Sequence, residues 1–139
     1  MNMKEALKQW QPNVTAPEAV LRDVYAKLPC SLPPDYVCFL QEHNGGEGFV
    51  GENYLIVWKA EELINFNREY EVNEYAPGIL LFGSNGGGEG FGFDTRDVTL
   101  PIVRVPFIGM DLRYAIVVAN SFTDLFMQLA GDHGQERNN

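Results

Sequence analysis

The chain has 139 residues, 45% of them hydrophobic and 21% charged, with a mean hydropathy of -0.17; this balance excludes intrinsic disorder and fits one domain with a real core. Ten Lys and Arg stand against 19 Asp and Glu, a net charge of -9, and no basic cluster occurs anywhere. Nucleic acids and anionic membranes are bound through clustered cations, so both are disfavoured as partners, whereas a basic protein would be attracted.

No run approaches the roughly 20 apolar residues of a membrane span. Met1-Asn2-Met3-Lys4-Glu5 shows no apolar segment with a small-residue cleavage site, so a secretory signal is not expected. Cys30 and Cys38 are too few for a disulfide framework, and a reducing cytosol is the expected location. Cys38 falls in an apolar helical pattern, where a free thiol is expected to be buried.

Met3, Leu7 and Trp10 form one helical stripe before Pro12. Thr15-Ala16-Pro17-Glu18 reads as a capping box that opens a helix ending at Pro29, with Val20, Leu21, Val24 and Leu28 on one face. A third helix follows Pro33-Pro34-Asp35 and stops at Asn44-Gly45. From Gly46 the texture is that of strands. Tyr54–Trp58 is apolar on both faces and reads as a strand covered on both sides. Ala60 to about Tyr70 reads as a helix; Ile79–Phe82, Glu89–Phe93, Ile102–Val105 and Tyr114–Val118 read as strands. Ser121 caps a last helix carrying Phe122, Leu125, Phe126 and Leu129, which Gly131 closes. The order predicts an α+β fold: a twisted, mainly antiparallel sheet with the N-terminal and C-terminal helices packed on one face. One domain over residues 1–131 and a flexible polar tail over 132–139 are expected.

The glycine-rich segment Gly83–Asp94 is the most conspicuous feature. A phosphate loop needs a lysine where Glu89 stands, and a dinucleotide fingerprint needs a helix where a strand follows. The segment instead reads as a turn at Asn85-Gly86-Gly87. Beyond it, Phe91 and Phe93 share one strand face while Gly90 and Gly92 leave the other bare for a close neighbour. Asn44-Gly45-Gly46-Glu47-Gly48-Phe49 echoes it, and both segments deliver a glutamate from a glycine loop. Calcium is not expected, because no loop alternates acidic ligands as an EF-hand does. Zinc spacing is absent from Cys30, Cys38 and His43. His43 on an apolar helix face and His133 in the tail make poor bases, no nucleophile elbow occurs, and nothing recommends Cys30 with His43 as a catalytic pair. These readings leave a domain without catalytic residues, cofactor or metal.

Leu32-Pro33-Pro34-Asp35-Tyr36-Val37-Cys38-Phe39-Leu40 followed by Asn44-Gly45-Gly46 resembles the N-terminal signature of the SUKH superfamily, in its cell-wall-assembly-regulator (SMI/KNR-like) branch. Tyr54–Trp58 before Glu61-Glu62-Leu63, then Ile79–Gly83, Gly92-Phe93-Asp94 and Ala119-Asn120-Ser121-Phe122 are similar in order and spacing. The resemblance implies an α+β domain that binds proteins and performs no catalysis. Bacterial members are inferred to be immunity proteins that neutralise a cognate toxin, often a nuclease; fungal members regulate cell-wall synthesis through protein contacts. Cationic toxin domains suit an acidic partner. On that basis Glu47, Glu52, Tyr54, Glu89 and Asp94 are the expected partner-binding surface, an aromatic anchor within a charged rim. The alternative is a regulatory module that binds another protein or holds a small molecule between sheet and helices.

Overall fold

The computed structural model describes residues 2–131; the expected tail over 132–139, with His133, lies outside the described residues. Seven antiparallel strands form one sheet in which every strand pairs with its neighbour in sequence: β1 (Trp10–Pro12), β2 (Gly46–Val50), β3 (Asn53–Val57), β4 (Ile79–Ser84), β5 (Glu89–Asp94), β6 (Ile102–Pro106) and β7 (Ile116–Ala119). Among the described residues six α-helices accompany it: α1 (Met3–Ala6), α2 (Glu18–Lys27), α3 (Pro34–Glu42), α4 (Leu63–Glu69), α5 (Val72–Tyr75) and α6 (Phe122–Gly131). The α+β architecture and its antiparallel sheet agree with the sequence reading.

Directly paired residues share a sheet face. The register therefore places Trp10, Leu55, Val57, Phe91, Phe93 and Ile102 on one side. There α3 and α6 supply Tyr36, Phe39, Phe122 and Phe126, whose rings interlock with Phe82, Phe93 and Trp10 at centroid separations of 4.8–5.8 Å. Each fully buried phenyl contributes about 1.5–3 kcal/mol through burial alone. Asp35 accepts the Thr123 backbone N–H at 2.9 Å, and Ser121 Oγ caps α6 by accepting from Asp124 N at 3.0 Å.

Several local expectations are overturned. Trp10 lies in a strand, not on a helix stripe: α1 stops at Ala6, and the Trp10 indole donates to the Leu55 carbonyl at 2.9 Å. Its backbone fits because a Cβ on Gly48, at φ 152°, would come within 2.9 Å of Trp10 Cα. Thr15 caps nothing. Its hydroxyl donates to the Gln41 carbonyl at 2.7 Å, and α2 begins after Pro17. In β3 only Leu55 and Val57 are buried while Tyr54 and Ile56 are half-exposed, so this strand is covered on one side; Trp58 lies beyond it. Tyr114 belongs to a 3-10 turn ahead of β7, and Cys38 is exposed on the outer side of α3.

The helices do not all lie on one face. β3 pairs with β4 only at Ile56–Ser84 and Val57–Gly83. Alongside the remainder of β4 lies α4, where Asn67 stands in for a missing strand: its Oδ1 accepts from Leu81 N and its Nδ2 donates to Leu81 O, both at 2.9 Å. The second sheet face carries another aromatic group, in which Tyr70 stacks between Trp58 at 6.2 Å and Phe107 at 4.3 Å. Phe107 lies on Gly90, where a Cβ would stand 2.9 Å from its ring. The bare strand face expected at Gly90 is thus occupied by a close neighbour.

Candidate interaction surface

The β2–β3 hairpin turns through Gly51 and Glu52, and its pairing places Phe49 opposite Tyr54 and Glu47 opposite Ile56. Because Gly46 and Gly48 yield one face of β2 to Trp10, Glu47 and Phe49 project together from the other. Tyr54 Oη donates to Glu47 Oε2 at 2.6 Å, and the Phe49 and Tyr54 rings meet edge to face at 5.1 Å. Phe49 is 51% exposed. The hydrogen bond to the Glu47 carboxylate, then slight desolvation and the nearby negative charge, raise the Tyr54 phenol above its ordinary pKa. Among the described residues neither Glu47 nor Glu52 has a cationic partner. Both carboxylates are exposed.

Glu89 reaches the same end of the sheet from the opposite face. Its Oε1 accepts from Asn85 Nδ2 at 3.0 Å, and its Oε2 lies 3.3 Å from Arg104 Nε. An open cavity of about 310 Å³ joins the two faces, lined by Phe49, Glu52, Tyr54, Asn85, Phe91 and Arg104 among others. Arg104 offsets the charge of Glu89, so the unbalanced negative potential of this end comes from Glu47 and Glu52.

Asp94 stands apart from the other four residues. It closes β5 five residues beyond Glu89, about 17 Å along the strand, and is engaged by Arg96 through Nε and Nη2 at 2.9 Å each and through the Arg96 backbone N–H at 3.0 Å. The Arg96 hydrogen bonds hold the Asp94 carboxyl below its ordinary range against opposing desolvation. The structure gives Asp94 a turn-closing role, joins Tyr54 to Glu47 with Glu52 in the turn of the same hairpin, and sets Glu89 on the opposite sheet face.

The glycine loop between β4 and β5 uses its own amides. Gly86 N donates to Ser84 Oγ at 3.1 Å, while Gly87 N and Glu89 N donate to Asn85 Oδ1 at 2.8 and 3.2 Å. An anion cradle needs those N–H groups turned outward. His43 is half-buried at the end of α3 against the Phe39 ring. Cys30 precedes the other end of that helix, which itself is about 13 Å long. Among the described residues, no group of three or more His, Cys, Asp or Glu is placed to hold a metal ion. No helix among them is long and apolar enough to cross a membrane.

Sequence reasoning missed Phe49 and Arg104. Phe49 was signalled by its alternation with Gly46 and Gly48, and Arg104 by being the lone charge within Ile102–Val105.

No curated protein matches the chain. A family model matches residues 15–128 and is described as the SMI1 / KNR4 family (SUKH-1). The matched span runs from the approach to α2 into α6 and includes six of the seven strands. With this span matched and the expected α+β sheet in place, the chain belongs to the SMI1 / KNR4 family (SUKH-1).

Proposed function

We propose that this chain is a non-catalytic, cytoplasmic protein-binding domain of the immunity type, which neutralises a cognate cationic toxin domain, such as a nuclease, by covering its basic face. Glu47, Glu52 and the Phe49–Tyr54 pair form the contact surface, with Glu89 at its margin. The observation that carries the reading is two exposed carboxylates, without a cationic partner among the described residues, beside the exposed Phe49 and half-buried Tyr54 on one hairpin. Partner cations would complete those carboxylates, and the rings would supply the apolar anchor. Family membership and the net charge of -9 support the same reading.

The test uses, as the binding partner, the cationic toxin domain that this reading requires. Replacing Glu47 and Glu52 with lysine should weaken binding by about tenfold or more per site and flatten its salt dependence, as calorimetry would show. Unchanged affinity with unchanged salt dependence would remove this surface from the reading.

One observation favours a second reading, in which the domain is a ligand-responsive regulator. A groove of about 560 Å³ lies between α2, α4, α5 and β4, lined by Leu28, Ile64, Val72 and Leu80 with Lys27 and Arg68. Under that reading an apolar anion raises the melting temperature and the toxin domain does not.

A further inference from the structure

The chain holds two Asn-Gly pairs, Asn44-Gly45 and Asn85-Gly86, one in each of the two echoing glycine segments. An asparagine side-chain carbonyl can be attacked by the next backbone nitrogen to close a five-membered ring, and a following glycine has no Cβ to obstruct the approach. The fold treats the two pairs differently. Asn44 is buried, its Oδ1 accepting from Ala60 N and its Nδ2 donating to Glu61 Oε1, both at 2.8 Å. Gly45 is wedged so tightly against the end of β3 that a Cβ there would overlap the Val57 carbonyl oxygen. The Asn44 amide cannot turn toward Gly45 N without opening the sheet.

Asn85 stands in the opposite setting. It is half-buried at the tip of the β4–β5 hairpin, and Gly86, Gly87 and Gly88 after it are exposed. Gly86 and Gly88 take the left-handed region at φ 74° and 101°, and no heavy atom lies within 4 Å of where a Cβ on Gly88 would stand. Each group that ring closure involves also has a partner. Gly86 N, the attacking atom, donates to Ser84 Oγ at 3.1 Å. Asn85 Oδ1, on which negative charge develops, accepts from Gly87 N at 2.8 Å and Glu89 N at 3.2 Å, a pair of backbone donors of the kind that stabilises an oxyanion. Asn85 Nδ2, the leaving nitrogen, donates to Glu89 Oε1 at 3.0 Å.

We propose that Asn85 is a self-modification site, converted by attack of Gly86 N on the Asn85 Cγ. The Gly86 N–Cγ bond forms and the Cγ–Nδ2 bond breaks. The Gly86 amide proton leaves with Nδ2 as ammonia, and a succinimide ring remains. Water then adds to either ring carbonyl and gives aspartate or isoaspartate, with no oxidant or cofactor consumed. The product sets a carboxylate beside Glu89, in the cavity lined by Glu52, Tyr54 and Arg104, and removes the Nδ2 donor that Glu89 uses. It adds one negative charge to a chain of net charge -9. Gly86 lies on the Tyr54 ring, where a Cβ would stand 3.1 Å from Cδ2, so the change reaches the β2–β3 hairpin. The step needs no partner and stands independently of the toxin reading.

Peptide mapping by mass spectrometry tests the site, on the full native chain held at mildly alkaline pH and physiological temperature. The expected result is a gain of about 1 Da on the peptide containing Asn85, part of it as isoaspartate, and none on the peptide containing Asn44. Asn44 is released only by unfolding, a state held by about one molecule in a thousand or fewer, so its conversion should be about hundredfold slower or more. In concentrated urea, where the fold no longer separates them, the two pairs should convert at similar rates. Gly86→Ala, which adds a Cβ to the attacking residue, should slow conversion at Asn85 by about tenfold or more. Where that variant distorts the hairpin, the comparison of native and urea-unfolded chains decides. A native Asn85 that stays intact while the unfolded chain converts overturns the proposal. So does a native Asn44 that converts as fast as Asn85, or a well-folded Gly86→Ala chain that converts at the unchanged rate.

Discussion

Tyr36 is fully buried among Phe82, Phe93 and Phe122, yet its hydroxyl finds no hydrogen-bond partner among the described residues. Burial, reinforced by the nearby Tyr25, pushes its phenol far above the ordinary value, so it stays neutral wherever the fold persists. An unmade hydrogen bond of this kind costs about 1–3 kcal/mol. Tyr36→Phe keeps every ring contact and deletes the stranded oxygen; urea unfolding should show unchanged or increased stability. Tyr54 presents the opposite case, a phenol whose partner is a carboxylate on the neighbouring strand. Spacing between Glu47 and Tyr54 in sequence does not reveal that meeting, because it depends on the hairpin register that sets Phe49 opposite Tyr54. The sequence reading started this strand at Glu89 and ended it at Phe93; the structure carries it on to Asp94, and the separation of the two carboxylates follows from strand rise. The Asp94 role was less visible, since it rests on Arg96 folding back two residues later.

Elements with strong caps and long apolar patterns were legible: α3 after its prolines, α6 after Ser121, and the strands β4, β5 and β6. β1 and β2 were not. Their residues, Trp10-Gln11-Pro12 and Gly46-Glu47-Gly48-Phe49-Val50, contain the proline and glycines that strands usually avoid. Both exist through a tertiary fit, the large indole filling the space that the missing side chains leave. The early end of β3's pairing with β4 was equally hidden, and with it the duty of Asn67. Asn67→Ala would strand the N–H and C=O of Leu81 beside α4. Equilibrium denaturation should register a loss of about 2–4 kcal/mol, consistent with two buried backbone groups left unsatisfied at about 1–3 kcal/mol each, partly relieved by water.

For the molecule as a whole, excess negative charge and the placement of its few cations govern the response to acid. Folding lowers the pKa of Asp94 through Arg96, and that of Asp97 through the Thr99 backbone N–H and hydroxyl, from an ordinary value of 3.8. A carboxyl lowered by folding binds protons less readily in the native chain than in the unfolded one. Its stabilisation is complete above the unfolded pKa and disappears as pH falls through the folded value. Thermal melts should therefore show stability falling as pH drops below about 4, with a smaller decline in Asp94→Asn, which no longer has that proton to take up. The neutral-pH stability of the same variant should be lower, because the ion pair with Arg96 is gone.

The unbroken sequential order of the strands has a kinetic consequence. Between β2 and β3 and from β4 through β7 each strand can find its partner through a nearby connection, so closure entropy remains modest while those parts of the sheet assemble. The seal between α3 and α6 is different: the Asp35–Thr123 contact spans 88 residues. Registration of the ribbon is thus expected to precede locking of the aromatic layer. The last event on the way in would then be the first on the way out, with α6 lifting from Trp10 and Phe39 while the hairpins still hold.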